Sequence, residues 1–213
     1  MAGAVVEGGT RPEVDSERPV VRLRSASARP YDSAIAAART CYSPRVVLSD
    51  EVTEAQRGSI GPLTFDGGHH TVFQHAHFEF GLENVSRQLV WTFLHSHPFY
   101  NSEQSSQRFV RLDEIRAYVP PLPPAARAVY ERAVEEAWES YRRLSELLKE
   151  DTRRIMSEVR HLSPNAAEKR RKRVEREAEK KAIETARYVI PIAAFTSMVH
   201  TVSGIVLHRL WRM

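Results

Sequence analysis

Residues 76–94, AHFEFGLENVSRQLVWTFL, carry two periods in succession. In Ala76–Leu82 the side chains of Phe78, Phe80 and Leu82 fall on one face of an alternating pattern, which reads as a half-buried strand. Val85, Leu89, Val90, Phe93 and Leu94 then recur at helical spacing, and this helix must end before Pro98. A strand feeding a helix places the chain among the mixed α and β folds.

Toward the N-terminus, residues 1–18 hold little that could pack and are expected to form a disordered tail. Pro19–Arg24 reads as a first strand with Val21 and Leu23 on one face. Asp32-Ser33 is expected to cap a short helix through Ile35, Ala36, Ala37, Ala38 and Arg39. Residues 44–68 show no clear period and end in the turn signal Asp66-Gly67-Gly68.

Toward the C-terminus, residues 99–107 (FYNSEQSSQ) read as a polar turn, and Arg108–Leu112 as a strand. Val119–Pro124 is a rigid connector. Tyr130, Val134, Ala137, Trp138, Tyr141, Leu144 and Leu148 then mark one face of a long helix. Ser163-Pro164 is expected to open the next helix, which runs to about Tyr188 and stops at Pro191. Residues 192–213 are apolar and read as a core or interface helix.

The chain has 213 residues, 42% hydrophobic and 27% charged, which suits one soluble domain over residues 19–213. No apolar run is long enough for a membrane helix, and residues 1–19 lack a basic stretch followed by an apolar one, so no secretory leader is expected. Cys41 is the single cysteine, so an intrachain disulfide is excluded and the expected compartment is the cytoplasm. The net charge of +4 resides in residues 168–181, with eight Lys/Arg and four Glu; the rest of the chain carries 23 of each sign. That segment interleaves its charges at three- and four-residue spacing and lacks aromatics. It reads as a solvated helix face, and no nucleic-acid partner is expected.

Six of nine histidines lie between His69 and His97. His75 and His77 on a strand would turn both rings to one face and could ligate a metal. No acidic residue stands at metal-motif spacing, so hydrogen-bonded loop histidines are the reading kept and no metal is expected. Arg87, Arg108, Arg111 and Arg187 each sit beside an apolar face, where a guanidinium can clamp a phosphate; spacing alone favours surface ion pairs instead. Nothing local marks Cys41 as activated, and it is expected to be a small buried hydrophobe. Ser102, Ser105 and Ser106 lack the glycine pattern of a serine hydrolase elbow.

In their order, four stretches resemble the flavin-dependent thymidylate synthases. Ala37–Tyr42 (AARTCY) is similar to the family's N-terminal motif. Gly68–Phe78 (GHHTVFQHAHF) resembles its histidine-threonine segment. Val85–Val90 followed by Asn101–Val110 (NSEQSSQRFV) is similar to its signature helix and the Ser-x-Arg-Tyr ending. Arg187–Pro191 with Thr201-Val202 resembles its C-terminal Ala-Arg-x-x-Leu-Pro and Thr-Val-Asn motifs. The resemblance spans residues 20–213 and implies an α/β (α+β) fold, a small, mostly antiparallel sheet with long flanking helices.

It also implies an activity: reductive methylation of dUMP to dTMP, with methylenetetrahydrofolate and NADPH as co-substrates and FAD as cofactor. It implies a homotetramer with active sites between subunits. Carried over by position, His69, Thr71, Gln74 and Ser203 are the expected flavin contacts, Gln74 standing for the usual glutamate and Ser203 for an asparagine. Gln88, Ser106, Arg108 and Arg187 are the expected dUMP contacts, with Gln107 turned to the opposite face. No catalytic residue is assigned. The family's arginine-histidine-arginine signature falls on Trp91-Thr92-Phe93 or, counted back from Arg108, on Ser96-His97-Pro98, and neither register supplies an arginine. Met213 precedes the position of a further dUMP-binding arginine and of the family's C-terminal helices. The alternative reading is a catalytically degenerate homologue or half-protein that serves as a scaffold or partner subunit.

Overall fold

The computed structural model describes residues 17–96 and 100–213. Of the expected tail, residues 1–16 lie outside the described residues, as do His97, Pro98 and Phe99. The chain divides into two compact units. One holds residues 18–104 and 196–213; the other holds Glu17 and residues 105–195.

The first unit is built on a four-stranded sheet ordered β1-β2-β4-β3. These strands are β1 Val20–Ala26, β2 His77–Ser86, β3 Tyr100–Gln104 and β4 Phe195–Ser203. The pairs β1–β2 and β3–β4 are antiparallel. β1 and β2 are the strands read from the sequence, and α3 (Arg87–Ser96) is the helix that follows. Val85 stays in the strand, and Asn84 with φ of 55° bends its end.

The helix after β1 is α1, Pro30–Thr40. Asp32-Ser33 does not cap it. Pro30 occupies the first turn after Arg29, and Asp32 faces inward instead. The stretch read without a period holds a further helix, α2, Glu54–Asp66. Thr53 and Gln56 close a reciprocal capping box at its start, which offsets Gly58, Gly61 and Pro62 within it. Cys41 is exposed rather than buried, because it falls just past the last turn of α1.

Residues 99–107 are not simply a turn, since Tyr100–Gln104 pair with Val202–Met198. Residues 192–213 are not one helix. Thr196, Met198, His200 and Val202 are buried at every second position of β4, and the chain turns helical only in α6, Gly204–Arg212. An apolar run with period two belongs to a strand wherever neighbours on both sides satisfy its backbone.

The second unit pairs two helices, α4 Pro124–Val159 and α5 Glu168–Ala186. Trp138 and Val134 pack on Ile115, Ala117 and Ala194; Tyr141 packs on Ile183 and Ala186. Ser163-Pro164 does not open α5. His161 adopts φ of 47°, His161 N donates to Glu158 O, and Leu162 N donates to Ser157 O. This left-handed stop of α4 leaves Ser163-Pro164 in the connecting turn. Arg108–Leu112 is not a strand, because Phe109 N and Val110 N both donate to Ser106 O, at 3.1 and 3.0 Å. No helix among the described residues is long and apolar enough to cross a membrane.

Candidate functional site

In the sheet unit, three of the four expected flavin contacts, His69, Thr71 and Gln74, lie on the connection before β2, and Ser203 lies at the β4–α6 junction. His69 precedes a 3-10 turn, His70–His75, that carries Thr71 and Gln74. Val72 is buried and anchors the turn, while Thr71 and Gln74 are exposed. The His70 ring stacks on Phe65 at 4.8 Å, with Nε2 3.1 Å from Phe65 O. His75 closes this turn and His77 opens β2, so they are not two positions of one strand. Among the described residues no group of three His, Cys, Asp or Glu side chains is placed to hold a metal ion.

Ser203 joins β4 to α6, and the next residue is fastened to the turn: Gly204 N donates to Ala76 O at 2.8 Å. A Cβ on Gly204 would stand 3.1 Å from Ala76 Cβ and 3.3 Å from Phe73 O. The missing side chain therefore lets α6 close on the turn, in the same seam as Gln74 and Ser203.

Two cavities flank this connection. One of about 950 Å³ is strongly apolar, lined by Tyr31, Phe65, Phe73, Phe78, His208 and Trp211 among others. The other, of about 640 Å³, has His69 on its rim with Arg39, Tyr42 and Arg45. Arg45 holds Glu51 with both prongs of its guanidinium, which with the Leu48 N–H brings the Glu51 carboxyl down to about 2. Arg39 donates to Glu51 O at 3.4 Å.

Gln88 is exposed in the first turn of α3, and its amide donates to Thr92 Oγ1 at 3.2 Å. Further along that helix, the Trp91 ring lies 4.0 Å from the His95 ring, and Phe93 contacts His200 at 4.9 Å. His200 is a buried polar residue on β4. Its Nδ1 is 2.5 Å from Ser102 Oγ, and burial pushes its pKa below the usual histidine value. Its place opposite Ser102 in the β3–β4 pair shows only once that pairing is known.

The helical unit brings Ser106, Arg108 and Arg187 into relation. Ser106 accepts from Arg108 N through its hydroxyl, at 3.3 Å. That turn buries Gln107 and leaves Arg108 exposed. Arg108 Nη1 is 3.6 Å from Glu184 Oε1, and Arg187, just past α5, stands within electrostatic reach of the same carboxylate. Lys181 donates to Glu184 at 2.7 Å. That hydrogen bond, and then the charges of Lys181, Arg108 and Arg187, hold the Glu184 carboxyl below its ordinary value against the pull of partial burial. Glu184 and Lys181 were not singled out in the sequence, although Lys181-x-x-Glu184-x-x-Arg187 repeats at one-turn spacing. Of the expected dUMP contacts, Gln88 therefore belongs to the sheet unit and the other three to the helical unit.

A small antiparallel sheet with a helical unit inserted in the chain between its third and fourth strands is a fold shared with solved structures. A UMP/dUMP methylase, PolB from Streptomyces cacaoi, solved with 5-Br UMP, superposes with a TM-score of 0.60 over 95% of this chain and 79% of that one, at 19% identity. Its complex with 5-Br dUMP gives the same TM-score, with 92% and 76% covered. The chain belongs to the thymidylate synthase complementing protein family, whose sequence profile matches residues 22–213. The flavin-dependent thymidylate synthase of Clostridium tetani is 29% identical over 197 residues, 90% of this chain and 72% of that protein. The one from Nitratidesulfovibrio vulgaris is 30% identical over 163 residues, 70% of this chain and 66% of its own length.

Proposed function

We propose that the protein is a flavin-dependent thymidylate synthase: it methylates dUMP to dTMP with methylenetetrahydrofolate as carbon donor and NADPH as reductant, through bound FAD. One observation carries the reading. Arg108, paired with Glu184 at 3.6 Å, and Arg187, three residues beyond Glu184 at the end of α5, are distant from each other in sequence and both expected at the nucleotide. A cluster with more cations than anions is the chemistry that a nucleotide phosphate requires.

The residues of the sheet unit fit a flavin in kind. The aromatic, apolar cavity suits a planar ring system, and the neighbouring rim of His69, Arg39 and Arg45 suits its phosphates. His69, Thr71, Gln74 and Ser203 would hold it. When bound, the flavin supplies the hydride step. The chain's own work is to orient the reactants, to exclude water, and to stabilise charge that develops on uracil oxygens with fixed donors. Ser106, Arg108 and Arg187 are proposed for the phosphate, and Gln88 as a further dUMP contact. The assembly proposed is a cytoplasmic homotetramer.

A second reading, a degenerate homologue or half-protein acting as scaffold or partner subunit, is favoured by Trp91-Thr92-Phe93. These uncharged residues stand on α3 in one register of the family's arginine signature. Two measurements separate the readings. A flavin absorption spectrum after loading with FAD, together with dTMP formation from dUMP, supports the enzyme. Flavin binding without turnover supports the scaffold, and a protein that takes up neither flavin nor dUMP sinks the proposal.

A further inference from the structure

Lys181, Glu184 and Arg187 lie one turn apart at the end of α5, and Arg108 approaches them from the turn that follows Ser106. Their contacts are unequal. Lys181 Nζ makes a full hydrogen bond to Glu184 Oε2 at 2.7 Å. Arg108 reaches the other oxygen with Nη1 alone, at 3.6 Å, beyond hydrogen-bond length, and its side chain is 54% exposed. Arg187 feels the carboxylate as a charge, yet its buried Nε has no hydrogen-bond partner among the described residues. Beside Arg108, Gln107 is 8% exposed and its Nε2 also lacks a partner among them. Glu184 thus satisfies the lysine and leaves the guanidinium groups under-bonded. A guanidinium favours two parallel bonds to one anion, and a buried donor without an acceptor is costly. Three cations against one carboxylate leave an excess of two charges, the complement of a phosphomonoester dianion.

We propose that Glu184 is a resident anion of this phosphate site: it stays on Lys181, holds Arg108 loosely in the free protein, and yields Arg108 and Arg187 to an incoming phosphomonoester while continuing to repel it. The inference rests on the nucleotide-site reading above and adds a control on its affinity. Glu184 keeps the site from closing tightly on phosphate, so a monophosphate product leaves as readily as the substrate enters. The opposite role is a carboxylate that positions Arg108 for binding, and the two roles differ in sign. Removing a competing anion tightens binding, whereas removing a positioning group weakens it.

The test is calorimetric titration of dUMP, and separately of inorganic phosphate, into the full chain and its Glu184→Gln and Glu184→Ala variants. Thermal melts establish that each variant is folded, and the alanine variant serves if the glutamine one is not. The expected result is binding about tenfold tighter in the variants for both probes. Unchanged or weaker binding, in a protein whose wild type binds dUMP, overturns the resident-anion role and leaves the nucleotide reading intact. Phosphate binding that tightens as expected, in a protein that ignores dUMP, keeps the resident anion and removes the nucleotide reading. Failure of every form to bind either probe overturns both.

Discussion

Arg57 grips Asp32 with two prongs, Nε to Oδ1 at 2.5 Å and Nη2 to Oδ2 at 2.6 Å, and so fastens α2 to α1. The Asp32 side chain is 1% exposed. Arg29 adds a third cation contact at 3.7 Å. Asp32 is the buried partner, whereas Arg57 is 39% exposed, so removing the carboxylate charge costs the two charge-assisted hydrogen bonds and leaves the guanidinium to solvent. Asp32→Asn should lower the thermal midpoint at neutral pH by roughly 5–10 °C. The Arg57 hydrogen bonds hold the Asp32 carboxyl below its ordinary 3.8. Its stabilising effect is therefore complete above that value and drains away as pH falls through the depressed one. The gap between wild type and variant should narrow below about pH 4, as melts across a pH series would show; a gap constant with pH refutes the assignment.

Glu51 sets a second acid dependence. Its carboxyl is lowered from 4.5 to about 2, first by the Arg45 hydrogen bonds. Stability from this pair is full above 4.5 and is lost as pH falls toward 2. In Glu51→Gln the urea midpoint should change less over that window than in the wild type. Identical slopes would mean that the pair is too well screened to matter.

Arg108→Lys should weaken dUMP binding at least about tenfold with the fold and flavin binding intact, because a lysine cannot make a two-pronged contact. Calorimetry on the flavin-loaded protein decides it. If Arg108 serves only as a surface partner of Glu184, the two affinities will agree.

The strands and helices with strong periods were legible in the sequence: Phe78, Phe80 and Leu82 along β2, and Trp138 and Tyr141 along α4. What escaped did so for local reasons. In α2 the glycines and Pro62 masked a helix that Thr53-x-x-Gln56 announces. In β4 an apolar run was compatible with either period until β2 and β3 were placed on its two sides. Around Arg108, Ser106 captures the following N–H groups and turns a β-like sequence into a tight turn. The cluster on Glu184 joins residues far apart in the chain, so its members could be named by resemblance but their shared partner could not.

Trp138 is 1% exposed, and its indole N–H has no hydrogen-bond partner among the described residues. Trp138→Ala should cost about 3–5 kcal/mol. Trp138→Phe should cost less than Trp138→Ala, because it leaves a smaller cavity and also removes an unsatisfied buried donor. Urea unfolding of both variants checks the order, and equal losses would show that the indole N–H finds an acceptor.

Gly204→Val tests the seam between α6 and the 3-10 turn. The added carbons meet Ala76 Cβ and Phe73 O, which cannot swing aside as a long side chain would. The expected cost is about 1–3 kcal/mol of stability, with a several-fold loss of FAD affinity if Gln74 and Ser203 hold the flavin. Flavin titration by absorbance reads the second effect. Reduced stability with unchanged FAD affinity would move the flavin away from this seam.

The central strand β4 is made late. It lies between β2 and β3, yet a ribosome must first translate all of residues 105–195. At about 5–20 residues per second, the β1–β2 pair waits on the order of ten seconds with its inner edge open. A two-stranded pair is marginal by itself, and a bare edge invites pairing with other nascent chains. Chains arrested shortly before Phe195 should therefore aggregate or engage chaperones, whereas the finished chain should not. Re-ordering the gene so that β4 directly follows β3 should remove that interval.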